Sequence, residues 1–388
     1  MRLVSQYQWW SGARRLGVSG GCSPTRIPVA SDRKLETEPA YEAMEIQTLT
    51  PDEWGDLLPD TGVGPFHQQE VLDLMDEYED GELRLLGGFR GQQPVALLPV
   101  FVREAYSIRF VVSPPPGLSV PWLGPVLMPT SPKRRKREKL NERFAEAALE
   151  ALETDDFRTL FGMVSSPEYA DPRPYLWTGM NVDPRFNFVL ELDGRNDEDV
   201  LNSFTRDLRK EIRKREDLDI TIDLEGPAAA RRVCDDLVER HAEQGLTYPT
   251  PRSFAGDLAD EFEDYTRVYV ARDPSGEYLG GITLVYTNGD AIFWQGGAKA
   301  NYDGVSVNSL LHWEIISDIL EDPQLEQVER YHLGNALNRR ISRFKSKFDA
   351  EPVVNYEIKS DMMVLARKAY TVRRHLTAQS VVDRLPTR

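Results

Sequence analysis

Apolar residues recur along the chain at two spacings, and the switches between them mark out its elements. From Met44 a short strand, "MEIQTL", leads into a helix opened by Pro51-Asp-Glu. "GPFHQQEVLDLMDEY" then places Phe66, Val71, Leu72, Met75 and Tyr78 on one helical face. "ELRLLGGFR" and "QPVALLPVFVRE" have strand character on both sides of Gly91-Gln-Gln, which predicts a hairpin. A rigid Pro/Gly-rich loop, "SPPPGLSVPWLGPVL", precedes "KRRKREKLNERFAEAALEAL", a helix whose basic first half is interleaved with acids at i,i+4. Strands near "TLFGMVSS" and "FNFVLEL" close this unit by about residue 193.

The order then repeats. "DVLNSFTRDLRKEIRKRE" reads as one helix with Leu201, Phe204, Leu208 and Ile212 as its stripe and Arg206, Arg209, Lys210 and Arg213 beside it. Strand "DITIDL", helix "PAAARRVCDDLVERHAEQ", loop "GLTYPTPRSF" and helix "AGDLADEFE" follow. Three strands turned at Asp273-Pro-Ser-Gly and Asn288-Gly289 form a meander. A loop leads from it into the helix "NSLLHWEIISDIL", and strand "VERYHL" comes next. In "RRISRFKSKFDAEPV", Ile341, Phe344 and Phe348 share one helical stripe and Arg339, Arg343 and Lys347 another, ahead of strand "PVVNYEI".

The fold expected is α/β (α+β), with two related units at 44–193 and 194–360. Each is a mixed, mostly antiparallel sheet flanked by helices. Residues 1–43 are expected as a disordered leader or an overextended start, and 361–388 as a C-terminal helix or tail. A chain of 388 residues exceeds the usual size of one hydrophobic core, which fits two units.

Charge narrows the function. With 63 acidic against 47 basic residues the formal net charge is -16, which disfavours general binding to DNA or an anionic membrane. Five cations within nine residues, Arg339 to Lys347, stand against that background, so any anion site is local. Lysine is scarce, 11 against 36 arginines, a composition expected of a salt-adapted, halophilic cytoplasm with an acidic proteome. Cys22 and Cys234 are the only cysteines and lie far apart, so neither a disulfide framework nor a metal site is indicated. No run approaches the roughly 18 apolar residues of a membrane span, and Arg14-Arg15 lacks the apolar segment of an export signal. A cytoplasmic location is expected.

The meander, loop, helix, strand and helix of the second unit resemble the layout of the Gcn5-related N-acyltransferase (GNAT) superfamily. Residues 196–360 resemble more closely the FemAB-like acyl- and aminoacyltransferases, through "SFTRDLRKEIRKRE", "AEQGLTYPTP", "YLGGITLVYTNGDAIFWQGGA" and "LGNALNRRISRFKSKFDAEPV". There Phe344-Lys345 and Lys347-Phe348-Asp349 are similar to that family's closing Phe-Lys-x-x-Phe-Gly segment. The first unit, with "PFHQQEVLDLM" and the loop before "WLGPVL", resembles the first of two tandem GNAT-like units.

The resemblance implies an N-acyltransferase that moves an acyl or aminoacyl group to an amine bound between the units. The co-substrate would be acyl-CoA or aminoacyl-tRNA, with no bound cofactor. The acceptor would be a small molecule or a peptide, and the acceptor end of a tRNA is the macromolecular partner this allows. It also implies that Phe344 and Lys345 lie at the acyl-donor end, where Arg339 and Arg343 would hold phosphates. One departure bears on the donor: Asn301-Tyr-Asp-Gly304-Val-Ser306 ends in Ser where CoA-using relatives carry Gly or Ala, so acetyl-CoA use stays open.

Acyl transfer needs a neutral amine, a developing oxyanion held by donors or a cation, and close positioning. Lys345, on the edge of the apolar stripe, is the candidate cation, the alternative being a surface lysine. His312 is either a base or a structural histidine. Asn308 and Ser309 either cap the helix they begin or bind the donor. Trp294 and Tyr302 line a channel or pack the meander. Gln244 and Tyr248, with His241, flank a loop that could cover the acceptor. The alternative to a transferase is a non-catalytic member that keeps the fold to bind a ligand.

Overall fold

A computed structural model describes residues 44–60, 62–287, 289–297, 300–335 and 338–382. The expected leader, Cys22, Asn288 of the meander turn and residues 383–388 lie outside them. In the first half β1 (Met44–Leu49), α1 (Pro51–Leu57) and α2 (Gln69–Tyr78) precede β2 (Glu82–Arg90), β3 (Gln93–Ala105), β4 (Ile108–Ser113) and the short β5 (Val126–Leu127). Then follow α3 (Arg134–Ala151), β6 (Thr159–Val164), α4 (Arg173–Trp177) and β7 (Asn181–Glu191). The second half opens with α5 (Asp197–Ser203), α6 (Arg206–Arg213), β8 (Thr221–Glu225), α7 (Pro227–Ala242) and α8 (Arg252–Glu261). Its meander is β9 (Thr266–Arg272), β10 (Tyr278–Thr287) and β11 (Gly289–Gly296), followed by the two-residue strands β12 (Asn301–Tyr302) and β13 (Val305–Ser306). It ends with α9 (Val307–Glu321), β14 (Val328–Asn335), α10 (Arg339–Lys345), β15 (Glu351–Lys359) and α11 (Asp361–Val382).

The two expected sheets are continuous. The order is β1-β2-β3-β4-β6-β15-β7-β14-β11-β10-β9-β8, mostly antiparallel. Parallel pairs occur at β4 with β6 and at β11 with β14, equivalent places in the two halves. The centre of the sheet is an exchange. β15, from the end of the chain, pairs with β6, while β7, from the first half, pairs with β14, and β7 and β15 pair with each other over nine residues.

The structure departs from the expected elements in two places. The single helix expected over 199–216 is broken at Phe204, which is extended (φ -66, ψ 157) and buried against Trp313 and Phe348. Burying that ring takes precedence over continuing the helix, and Asn196 caps α5 through its side chain. β4 was not anticipated, because "IRFVVS" runs directly into the proline-rich loop. It is nevertheless the strand that joins the first-half hairpin to β6.

Core packing also crosses the halves. Trp54, Phe66, Phe101 and Trp122 share one buried cluster with Cys234, Phe254, Val285, Ile292 and Trp294. A second cluster, with Leu284, Leu310, Ile315, Tyr331 and Phe348, lies on the other face of the meander against α9. Among the described residues no helix is long and apolar enough to cross a membrane.

Candidate functional site

The pairing of β11 with β14 ends at Ile292 and His332, although both strands run on, to Gly296 and Asn335. Lys345 occupies this opening. Asn338 caps α10 by accepting from the Ile341 N–H at 2.8 Å, and the helix continues for only seven residues before a 3-10 turn, Ser346–Phe348. That short run turns Arg339 and Arg343 outward and Lys345 inward, where it is 6% exposed. Its Nζ donates to the Asn335 carbonyl at 2.8 Å and lies 6.0 Å from the centroid of the Phe293 ring. Gly334, at φ +79, lies beside it in a left-handed backbone conformation that favours glycine. No carboxylate among the described residues pairs with Lys345, and burial lowers its pKa to about 7.

The structure therefore corrects the picture of an edge or surface lysine. It also corrects the stripe. Phe348 is buried and Phe344 half-buried, but Ile341 is 41% exposed, because the turn tightens after Lys345 and only the C-terminal part of the stripe meets the core.

His312 stands behind Lys345. Its Nδ1 shares a 2.8 Å hydrogen bond with the Tyr331 hydroxyl, and its ring lies 5.4 Å from Phe293, 5.4 Å from Phe348 and 5.8 Å from Phe344. Burial, together with the charge of Lys345, lowers its pKa to about 3. A general base works best with a pKa near the operating pH, so His312 is poorly matched to the role considered for it. It belongs with the aromatic wall.

At the start of α9 the capping residue is Ser306, whose hydroxyl accepts from the Ser309 N–H at 3.4 Å. Ser309 instead donates through its hydroxyl to Glu211 at 3.0 Å, which ties α9 to α6. Neither Asn308 nor Ser309 is the cap, and Asn308 Oδ1 is buried without a hydrogen bond. Tyr302 is half-buried against the second core. Gln244 is exposed and, from the turn after α7, donates back to the Arg240 carbonyl at 3.1 Å. Tyr248 packs on the shared core, 4.9 Å from the His241 ring. Trp294 is buried where the halves meet, 6.4 Å from Phe66 and 5.8 Å from Phe254.

The sequence reading missed two groups. On the sheet face opposite α9, Arg330 binds Asp290 through Nε and Nη2 at 2.8 and 2.9 Å, and its Nη1 reaches Glu168 of the first half at 2.8 Å. His332 Nε2 is 2.7 Å from Asp290 Oδ1, its ring is 5.4 Å from that of Trp122, and its Nδ1 is buried without a hydrogen bond. Burial would raise the Asp290 carboxyl, but the His332 hydrogen bond and the Arg330 charge together hold it below its usual range. The signal was present in "VERYHL", where Arg330 and His332 alternate with Tyr331 and Leu333 in a strand covered on both faces. The second group is a pair of guanidiniums. Arg240 lies beside Gly297, just past β11, and burial and the nearby charge of Arg340 both lower its pKa. A cavity of 210 Å³ opens there, lined by Arg232, Arg240, Tyr278, Gly297 and Ala300 and also by the carboxylates Asp236, Glu239 and Glu243.

Residues 202–363 match the family model of the acetyltransferase (GNAT) domain. The second half is a GNAT acyltransferase domain. No curated protein matches the chain. Among solved structures, FemX superposes with a TM-score of 0.58 at 10% identity, covering 84% of this chain and 99% of its own. A conserved protein of unknown function from Bacteroides thetaiotaomicron superposes with a TM-score of 0.53 at 10% identity, covering 81% and 99%. A tandem GNAT protein from the clavulanic acid biosynthesis pathway covers 82% and 99% at 15% identity, with a TM-score of 0.45. At these identities the first two likenesses concern the fold. The GNAT domain contains the strand opening, Lys345, His312 and the Asp290–His332 pair, and its match makes the chain a transferase.

Proposed function

We propose that the protein transfers an acyl or aminoacyl group from acyl-CoA or aminoacyl-tRNA to an amine held where the two halves meet. The observation that carries this reading is Lys345, a buried amine without a carboxylate partner at the opening between β11 and β14. Burying such a group costs stability, and a developing negative charge is what would offset the cost. In the reaction the neutral amine attacks the acyl carbon, and the carbonyl electrons move onto oxygen. Lys345 Nζ–H donates to that oxyanion. Collapse expels the thiolate of CoA or the ribose oxygen of tRNA, which takes up a proton as the amine loses one.

Two further groups fit the same reading. Past β11, Arg240 is repelled by Arg340 and attracted by Glu243 and Asp236, which line its 210 Å³ cavity, and a donor phosphate would bind the two guanidiniums in competition with those carboxylates. His332, if its Nε2–H donates to Asp290, keeps Nδ1 as an acceptor on the junction face, where it can receive the amine's proton. The test is turnover of a set of acyl-CoA and aminoacyl-tRNA donors by wild type and Lys345→Met. Loss of kcat/KM by roughly 10- to 150-fold, matching about 1.5 to 3 kcal/mol for a charge-assisted hydrogen bond, supports the reading. Unchanged turnover rejects it.

A further inference from the structure

The face of β10 and β11 turned toward the first half carries more hydrogen-bonding groups than it uses. Trp294 Nε1, both amide atoms of Gln295 and Thr283 Oγ1 are buried and make no hydrogen bond among the described residues. Buried polar groups are nearly always paired, so three neighbouring residues that break the rule together call for a cause.

A bulge brings them to one place. Leu284 lies opposite Phe293 and Thr283 opposite Gln295, so Trp294 is the extra residue of β11. An inserted residue re-aims the side chains that follow it. Val285 and Trp294 pack in the core shared with Phe66 and Phe254, whereas Leu284 packs on the α9 side. Thr283 is two residues from Val285 and hence on the same face, and Gln295 is its cross-strand partner.

The chemistry of the three groups selects a ligand. The indole is a donor only, the carboxamide offers donors and an acceptor side by side, and the hydroxyl serves either way. All are neutral. A carboxylate would leave Gln295 Oε1 unmatched, and an ammonium would leave Trp294 Nε1 and Gln295 Nε2 unmatched. A group presenting C=O and N–H together matches them all.

We propose that Trp294, Gln295 and Thr283 form a binding site for an amide group of the substrates. It rests on the acyl-transfer reading only for which substrate supplies the amide. That is either the pantetheine arm of an acyl-CoA or the peptide linkage of an amine acceptor.

The experiment compares wild type with Thr283→Val and Gln295→Leu. Because the replaced groups have no hydrogen-bond partner among the described residues, both variants should keep or raise the Tm. Binding is then measured by calorimetry with pantetheine, with glycylglycinamide, and with butylamine, which lacks an amide. Wild type should bind pantetheine or glycylglycinamide and not butylamine, and Gln295→Leu should weaken the bound probe by about tenfold. Which probe is affected identifies the donor or the acceptor as the source. A lowered Tm with unchanged binding, or a wild type that binds neither amide probe, overturns the proposal. Acetyl-CoA and aminoacyl-tRNA are titrated alongside. Donor binding that Gln295→Leu leaves unchanged, with no amide probe bound, defeats only this site, whereas absence of any donor binding defeats the transferase reading as well.

Discussion

Lys345 is the residue on which the account turns, and its burial has a sign that can be checked. Its pKa is lowered from 10.5 to about 7, so between those values the unfolded chain holds a proton that the folded one has released. Stability therefore rises with pH across this window, and the cost of the buried ammonium is fully present below about pH 7. Lys345→Met should flatten that rise and stabilise the protein most at the acid end, as read by urea unfolding at stepped pH. The histidines act in a lower window. His312 is lowered to about 3 and His67 to about 4, each chiefly by burial, so both fold neutral. Acidification from about 6.5 toward 3 should destabilise the wild type, and His312→Phe should remove part of that loss. An unchanged acid limb would show that His312 titrates normally.

At the scale of elements, α10 and its following turn separate scaffold from function within ten residues. Phe348 is 0% exposed and touches Phe204, Phe344 and the His312 ring, so Phe348→Ala should destabilise by about 3 to 5 kcal/mol in chemical denaturation. Ile341, predicted on the same stripe, is exposed, and Ile341→Ala should change stability by no more than about 0.5 kcal/mol. This contrast marks where sequence reasoning stops. Apolar spacing revealed the meander, α3, α9 and β14, because each buries a face wide enough to impose a period. It could not show that α10 tightens into a 3-10 turn, nor that Lys345 would point inward, since a lysine at the edge of a stripe satisfies either orientation. The break at Phe204 was hidden for the same reason: both sides of it continue the helical period. The Asp290–Arg330–His332 group was hidden by distance, its members being brought together only by the parallel pairing of β11 with β14.

Across the whole molecule the exchange of β7 and β15 makes the halves interdependent. The nine-residue pairing of these strands, their bonds to β14 and β6, and the core around Trp294 all join residues from both sides of position 193. Residues 194–388 expressed alone lack β7 and should show no cooperative unfolding transition, whereas co-expression with residues 44–193 should restore one. A stable, cooperative isolated half would show that the exchange is dispensable. The same architecture sets the central claim, that the opening beside Lys345 receives the acyl donor. A donor whose oxygen lies against Lys345 stabilises its charged form, so binding above pH 7 must draw a proton from solution. The deciding measurement is calorimetric titration of acyl-CoA and of aminoacyl-tRNA at pH 8, in buffers of different ionisation enthalpy. The account predicts that one donor binds wild type with proton uptake approaching one per site, and that Lys345→Met abolishes the uptake and weakens binding. Binding without uptake, or uptake that persists in Lys345→Met, would contradict it.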